Sequence, residues 1–308
     1  MNWRRRRELV ALAALLVGLA EFALGQFWAQ HLIPQIGVLC LACAALCLLG
    51  RLWLAGLCWT LAAIVPLLQV LPLYLPKHVS ARPGCEIEVL SFNQLEEHPD
   101  NAGAARLIGK LHPDILFAEK VYAVEEFRRL LAEELPGYSS AAVRQLVIAS
   151  RFPLSHVADV RFGMTADAAI GDREVRLLNF YMTRPSHDFA GYTADYANFY
   201  RWLRKGERPL IAGGDGNATA FTPEMRSIRQ SLRDSWDEAG WGLGATFPGP
   251  WRRVGLIGPL MRIDYILHDG AFDTVAMRRI GEATGAGHYP VAARLALAGA
   301  GAPGKPCD

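Results

Sequence analysis

The hydrophobic and polar positions divide the chain into two parts of different character. Between Glu8 and Lys77 charged residues almost vanish, and only Glu21 and Arg51 interrupt the apolar sequence. Short separators cut this sequence into three runs, each near the ~20 residues that a helix needs to span a membrane. The pattern therefore predicts an N-terminal anchor with three transmembrane helices. The helices lie at about 9–28, 33–50 and 52–75, and the anchor covers residues 1–76.

The charges around these runs predict the orientation of the anchor. A basic cluster, Arg4–Arg7, precedes the first run, and the positive-inside rule places such clusters in the cytoplasm. Three crossings then place residue 76 onward outside. The first run can also be interpreted as a cleaved signal peptide. Because two further apolar runs follow it directly, we favour an uncleaved multi-pass anchor in the cell (inner) membrane, with an extracytoplasmic C-terminal domain.

The remainder of the chain alternates short β-type runs with amphipathic helical runs. This alternation predicts an α/β domain rather than an all-β sandwich. We expect a linker at 77–84, the domain at 85–298, and a flexible tail at 299–308 that is rich in Gly and Pro. The predicted strands are 86–92, 114–119, 145–150, 174–183, 209–213, 262–268 and 289–297, and the predicted helices are 101–111, 123–134, 191–205 and 223–234.

Composition refines this picture through the distribution of charge. Hydrophobic residues make up 52% of the chain, and the formal net charge is +2. Residues 1–77 contain six of the 32 Lys and Arg and two of the 30 Asp and Glu, which leaves 26 basic and 28 acidic residues in the remainder. Proteins that bind nucleic acid through its phosphates usually carry a basic excess or patch. The outer domain has no such bulk excess, so nucleic acid is not the favoured partner, and a local basic patch stays open.

The six cysteines fall into two groups. Cys40, Cys43 and Cys47 have helical spacing within the apolar part, where no polar partner is close in sequence, so packing is favoured over metal binding. Cys85 and Cys307 bracket the outer domain. In an oxidising compartment they can form a disulfide, but sequence spacing alone does not show whether their backbones approach closely enough.

Polar residues stand at the ends of several predicted strands, where α/β folds gather functional groups. Taken singly, each has an ordinary structural interpretation: Asn93 can cap a helix, the segment 213–217 can be a tight turn, and a lone His288 is more often structural. Asp264, between apolar residues of a strand, must face solvent or be paired. The candidate residues are Asn93, Glu119, Asp215, Asn217, Asp264 and His288.

Their order along the chain resembles the motif series of the endonuclease/exonuclease/phosphatase superfamily. That series is a strand ending in Asn, a strand ending in Glu, a Gly-Asp-x-Asn turn, an Ile-Asp-Tyr strand and His-x-Pro, and all five occur here in order over about residues 86–297. Ser-Arg-Phe-Pro-Leu at 150–154 and Gly-Leu-Gly-Ala-Thr-Phe-Pro at 242–248 are supporting matches. The apolar N-terminal part also resembles the membrane-anchored branch, which includes teicoplanin-resistance-type proteins.

The resemblance implies a four-layer α/β sandwich with its site at one end, preceded here by the three transmembrane helices. Glu119, with Asn93 nearby, would hold Mg²⁺ or Mn²⁺, because these ions prefer hard oxygen ligands. Asp215 would orient and deprotonate the attacking water, and Asn217 would hold the phosphate or that aspartate in place.

The remaining roles also follow from the resemblance. His288, paired with Asp264, would stay cationic and stabilise the pentavalent transition state. Tyr181 stands where many members have histidine and where the abasic-site endonuclease branch has tyrosine. One departure is larger, because the family usually has Ser-Asp-His where this chain has Ala286-Gly287-His288. A carboxylate that commonly contributes to metal binding is therefore absent.

Three functions remain open from the sequence. The favoured one is a metal-dependent phosphoester hydrolase outside the cytoplasmic membrane, acting on a lipid-linked phosphate or phosphodiester, because a tether raises the effective concentration of lipid head groups. The second is a catalytically degenerate phosphate-binding or sensing protein, which Gly287 suggests. The third is a membrane-tethered nuclease. The expected partners are the lipid bilayer and a phosphoester substrate, and the sequence does not predict an oligomeric state.

Overall fold

The protein is described from a computed structural model covering residues 3–23, 27–94, 100–206, 209–249 and 258–307. The chain divides into two compact units, Met1–Leu75 and Pro76–Asp308. This division lies at the predicted end of the apolar part.

The first unit is helical. Its helices are α1 (Trp3–Ala23), α2 (Phe27–His31), α3 (Ile33–Leu49) and α4 (Trp53–Val70), and a 3₁₀ turn follows at Leu71–Tyr74. Helix packing between α3 and α4 depends on small residues: a Cβ on Gly37 would lie 3.0 Å from Pro66, and one on Gly56 would lie 2.7 Å from Leu48. Large apolar side chains such as Val38 and Leu68 remain exposed on these two helices.

One helical run of this unit has the length and composition of a membrane span. Among the described residues, the run at Trp53–Tyr74 has 22 residues and a mean hydropathy of 2.0, whereas Ile33–Leu49 is shorter than a full span. Signal sequences and buried core helices can share these properties, so one such run does not establish an anchor. The three-span topology, and with it the multi-pass placement, stays a prediction.

The second unit contains two mixed six-stranded sheets. The strands are β1 (Gly84–Asn93), β2 (Ile115–Glu119), β3 (Ser139–Val143), β4 (Leu146–Ser150), β5 (Leu154–Val160), β6 (Gly163–Ile170), β7 (Arg173–Tyr181), β8 (Leu210–Asp215), β9 (Arg233–Asp234), β10 (Asp264–His268), β11 (Phe272–Arg279) and β12 (Val291–Ala298). Their spatial order is β11-β12-β1-β2-β4-β3 in the first sheet and β5-β6-β7-β8-β10-β9 in the second.

Helices cover the outer faces of the two sheets. The helices of this unit are α5 (Asn101–Leu111), α6 (Val124–Glu134), α7 (Phe189–Leu203), α8 (Pro223–Ile228) and α9 (Ser235–Ala239). On the first sheet, apolar side chains of α5 and α6 pack against Leu90, Phe92 and Leu116. On the second, Phe199 of α7 stacks on Phe162 and lies 5.5 Å from Phe180, centroid to centroid. The layers therefore run helix, sheet, sheet, helix, as the predicted sandwich requires.

The space between the sheets is filled by alternate residues of the central strands. Side chains of successive strand residues point to opposite faces. Ile87 and Val89 of β1 enter the inter-sheet core with Phe117 of β2, whereas Leu90 and Phe92 face the helices. This alternation sets the direction of the side chains at the strand ends.

Two parts of the second unit differ from the sequence prediction. The predicted helix at 223–234 ends at Ile228, and the chain then turns into β9. Five strands were missed, of which β5 is exposed along most of its length and β6 is rich in alanine, a residue with low β propensity. The missed strands are β3, β5, β6, β9 and β11.

The structure also differs from the predicted flexible tail at 299–308. Cys85 and Cys307 form a disulfide with Cα atoms 4.9 Å apart. The Glu86 amide donates a hydrogen bond to the carbonyl of Lys305 at 2.7 Å, and the Cys307 amide donates to the carbonyl of Glu86 at 3.1 Å. The tail is thus held against the first strand, because the disulfide and these backbone bonds fix its end.

Candidate active site

Side-chain alternation brings the candidate residues into the space between the sheets. Asn93 and Glu119 have the same parity as the inter-sheet residues of their strands, and they are opposite each other in the parallel pairing of β1 and β2. Asp215 is opposite Asp264 in the antiparallel pairing of β8 and β10. Each of these side chains therefore lies at the same end of the sandwich, where the hydrophobic core gives way to polar groups.

Close packing between the sheets explains the paired glycines before Asp215. A Cβ on Gly213 would lie 2.2 Å from the Phe117 ring of the opposite sheet. Gly214 has φ of 150°, and a Cβ there would lie 1.9 Å from the carbonyl oxygen of Phe180. Because the glycines have no side chain, the strand can lie close to Phe117 and Phe180, and Asp215 then enters the inter-sheet space.

Three hydrogen bonds hold Asp215 and its neighbours. Asn93 Nδ2 donates to Asp215 Oδ2 at 2.9 Å, and the Asn217 amide donates to Asp215 Oδ1 at 2.7 Å. Asn217 Nδ2 donates to the carbonyl of Met182 at 2.8 Å. In this state Asn93 positions the aspartate, which is a different contact from the metal ligation that the resemblance implied.

The predicted pair of Asp264 and His288 is present. His288 Nδ1 lies 2.9 Å from Oδ2 and 3.1 Å from Oδ1 of Asp264, and both residues are buried. The Phe247 ring packs 4.9 Å from the imidazole, centroid to centroid. The Tyr289 amide donates to the carbonyl of Thr246 at 2.9 Å, so the segment before β10 fixes the backbone that carries His288.

Glu119 is the least satisfied group of the site. It is fully buried, and neither carboxylate oxygen accepts a hydrogen bond from the described residues. Burial raises the pKa of Glu119 well above its usual range, and the negative charges of Asp264 and Asp215 raise it further. A buried carboxylate without a donor is costly, and it is the kind of group that a metal ion satisfies.

The pKa of Asp215 is raised to about 7. Burial raises this pKa most and the charge of Asp264 also raises it, whereas His288 and the hydrogen bonds from Asn217 and Asn93 lower it. A base whose pKa lies near neutral pH accepts a proton efficiently there.

Tyr181 and Lys120 stand beside this cluster. Tyr181 pairs with Asp215 in the register of β7 and β8, and the ammonium of Lys120 lies 5.5 Å from the centroid of its ring. Lys120 follows Glu119 directly with a left-handed backbone, φ 51°. Lys120 was not among the residues predicted from the sequence, although its charge directly after the Glu119 strand was the available signal.

Asn179 was also missed as a residue that organises the site. It is fully buried on β7, and its Nδ2 donates to the carbonyls of Ala118 at 2.9 Å and Val147 at 3.0 Å on the opposite sheet. This cross-sheet contact fixes the strand immediately before Glu119. Asn179 lies two residues before Tyr181 on the same strand, so the two side chains point to the same face of the sheet. This spacing was the signal available in the sequence.

The residues present fit a divalent cation with oxygen ligands. One possible ligand atom each from Asp215, Asp264 and His288 lies within 4.8 Å of the others, and Glu119 adds a carboxylate without a hydrogen-bond donor. Gly287 contributes no side chain. The donor set is therefore poorer in carboxylates than the family pattern.

Solved structures with this architecture come from several organisms. An endonuclease/exonuclease/phosphatase from Bacteroides vulgatus matches with TM-score 0.57 and 17% identity, covering 69% of this chain and 99% of that chain. One from Beutenbergia cavernae matches with TM-score 0.55 and 19% identity, covering 70% and 72%. A 3′ phosphatase from Neisseria, bound to a product DNA hairpin, matches with TM-score 0.56 and 17% identity, covering 67% and 98%. At these identities the likeness concerns the fold.

The sequence itself gives the family. No curated protein is a match for this chain. The Endonuclease/Exonuclease/phosphatase family matches residues 90–285, which include the candidate residues from Asn93 to Asp264 and end just before His288. This family includes nucleases, phosphatases and phosphodiesterases, and its enzymes typically use divalent metals. The chain belongs to the endonuclease/exonuclease/phosphatase family.

Proposed function

We propose that this protein is a metal-dependent phosphoester hydrolase that acts outside the cytoplasmic membrane, on a lipid-linked phosphate or phosphodiester, by in-line attack of water. The observation that carries the proposal is the buried Glu119 carboxylate without a hydrogen-bond donor, next to the charges of Asp215 and Asp264. A structural carboxylate would be expected to have partners, whereas a metal ligand needs its oxygens available.

Each remaining residue has a role in this reaction. A Mg²⁺ or Mn²⁺ ion at Glu119 would neutralise phosphate charge and stabilise the leaving oxygen. Asp215 accepts the proton of the attacking water, and Asn93 and Asn217 orient its carboxylate. His288 uses Nδ1 to bind Asp264, so Nε2 is the atom placed to donate to a phosphate oxygen.

The lipid substrate and the outer location rest on two further features. The first unit contains a helical run of membrane-spanning length, and a tether would hold the hydrolase near lipid head groups. The disulfide between Cys85 and Cys307 favours an oxidising compartment. Both features support a membrane-anchored, extracytoplasmic enzyme, with the bilayer as a partner.

Hydrolysis by the purified full-length chain in maltoside micelles tests the proposal. The substrates are a lipid pyrophosphate, a generic phosphodiester and single-stranded DNA, each with Mg²⁺, Mn²⁺ or EDTA. We expect metal-dependent turnover that is strongest on the lipid and is lost in Glu119→Ala and His288→Ala. Glu125→Gln, an exposed glutamate on α6, is the matched control and retains activity. Preference for DNA would favour the tethered nuclease instead.

A second candidate is a phosphate-binding or sensing protein of the same fold. Gly287 favours it, because a carboxylate that the family commonly uses for the metal is missing. The two candidates differ in the effect of Gly287→Asp. If the parent turns over no substrate and the variant does, the parent is degenerate, whereas metal-dependent turnover by the parent excludes this candidate.

A further inference from the structure

A cleft of about 450 Å³ lies between helices α7 and α8, apart from the catalytic cluster. On α7 the lining side chains recur one turn apart and so share one face. Small residues on both helices leave the space between them unfilled, because Thr, Ala and Ser side chains do not bridge it. The cleft is lined by Thr193, Tyr196, Ala197, Tyr200, Glu224, Ser227, Ile228 and Gln230.

Among the described residues that line the cleft, Glu224 is the only charged one. Its Oε2 atom is buried and accepts no hydrogen bond from the described residues. The neighbouring Tyr192 hydroxyl does not add a charge, because burial and the Glu224 carboxylate raise the pKa of Tyr192 well above its usual range. The cleft therefore presents one negative charge that lacks a matching cation among its lining residues.

Two tyrosines of α7 form the aromatic part of the lining. Tyr196 is buried, at 4% exposure, whereas Tyr200 is 39% exposed and stands nearer to solvent. Aromatic rings attract cations, and a nearby carboxylate adds to that attraction. An anion would be repelled by Glu224, and an uncharged apolar group would leave its carboxylate without a counter-charge.

We propose that the α7–α8 cleft is a second ligand site, which binds a small organic ammonium group between Glu224 and the two tyrosines. A free organic ammonium ion and the head group of an aminophospholipid or choline phospholipid share this chemistry. The proposal does not rest on the hydrolase activity, because binding is measurable without turnover.

The cleft is connected to the candidate active site by one side chain. The Tyr196 hydroxyl donates to the carbonyl of Gly216 at 2.8 Å, and Gly216 lies between Asp215 and Asn217. A Cβ on Gly216 would lie 2.9 Å from the Tyr196 hydroxyl oxygen, so the contact is close. A ligand that packs on Tyr196 therefore restrains the turn that carries the proposed base.

Binding of choline to the full-length chain in maltoside micelles tests the site, with saturation-transfer NMR of the choline methyl groups as the readout. The neutral isostere 3,3-dimethyl-1-butanol is the ligand control. We expect saturable binding of choline to the parent protein. The affinity of the parent for the isostere, and the affinity of the Glu224→Gln variant for choline, should each be about tenfold or more weaker. Tyr200→Ala should also weaken choline binding, and Glu125→Gln should not.

Three results would overturn the proposal: equal binding of choline and its isostere, unchanged choline binding in a folded Glu224→Gln protein, or no saturation up to ~100 mM choline. Circular dichroism and the thermal midpoint establish that Glu224→Gln is folded. A second arm compares choline with dihexanoylphosphatidylcholine below its critical micelle concentration. Tighter binding of the lipid identifies a head group as the source, and tighter binding of choline identifies a free organic cation; either result supports the site.

Discussion

Replacing Glu119 by glutamine tests the metal-site interpretation through protein stability. Glu119 is fully buried, and the described residues give neither of its carboxylate oxygens a hydrogen bond. Leaving a buried polar group unsatisfied costs about 1–3 kcal/mol, and more when the group is charged. Glu119→Gln keeps the shape and removes the charge, so we expect it to raise the free energy of unfolding of the metal-free protein by about 1–3 kcal/mol near pH 8.

The expected effect depends on pH because folding raises the pKa of Glu119. A carboxyl group of this kind binds its proton more tightly in the folded state. This tighter proton binding by Glu119 stabilises the folded state. The stabilisation is fully present below the unfolded-state pKa, near 4.5, and is lost as pH rises toward the folded-state pKa. The advantage of Glu119→Gln should be small near pH 4 and should grow as pH increases.

Metal should reverse the order of the two proteins. A ligand that binds only the folded state stabilises it by about 2.7 kcal/mol at a hundred times its dissociation constant. The wild type, with its carboxylate ligand, should gain this stability from Mg²⁺ or Mn²⁺, and the glutamine variant should gain little. The comparison separates a metal ligand from a buried acid that only weakens the fold.

Urea unfolding of the full-length chain, followed by tryptophan fluorescence at several pH values with metal or EDTA, measures these differences. Glu125→Gln serves as the control for removal of an exposed carboxylate. The reasoning fails if Glu119→Gln destabilises the metal-free protein equally at low and high pH, because the carboxylate would then have partners in the folded state. It also fails if metal stabilises both proteins to the same degree.

Three other predictions concern the base, the disulfide and the sheet contact. Below the Asp215 pKa of about 7, kcat/KM should rise about tenfold per pH unit, and above this pKa it should level off. Bound metal should lower the midpoint of this pH profile, and Asp215→Asn should abolish the activity. Cys307→Ser should lower the free energy of unfolding by up to about 5 kcal/mol, because the disulfide closes a separation of 222 residues, and reduction of the wild type should give the same urea midpoint. Gly213→Ala should cost about 1–3 kcal/mol, because its Cβ would lie 2.2 Å from Phe117, whereas Gly270→Ala, with no atom within 4 Å, should be nearly neutral in thermal denaturation.

The central strands could be predicted from the sequence because their burial is almost complete. β2 and β4 are short, continuously apolar runs, and both were predicted within a residue of their observed bounds. β5 lies at the edge of its sheet and is mostly exposed, so it carries no hydrophobic pattern to detect. The segment after Ile228 looks like a continued amphipathic helix, but tertiary pairing of β9 with β10 takes precedence over that local pattern.

The order of motifs predicted which site residues stand at strand ends, but not the contacts between them. Asp264 and His288 are 24 residues apart, and their pairing follows from the resemblance rather than from local sequence. Asn93 was expected beside a metal, whereas here it donates to Asp215. That contact depends on how closely the two sheets approach, which Gly213 and Phe117 determine through packing that periodicity does not show.

The glycine at position 287 changes the kind of metal site that the cluster can form. Asp264 pairs with His288, and Asp215 accepts hydrogen bonds from Asn93 and Asn217. Among the described residues of the cluster, Glu119 is therefore the carboxylate left without a hydrogen-bond donor. Mg²⁺ keeps several waters and binds proteins through one or two carboxylates together with substrate phosphates. A site with a single available carboxylate fits that behaviour better than a site that encloses its ion in protein ligands. Metal and phosphoester should therefore bind cooperatively, because each supplies charge that the other lacks.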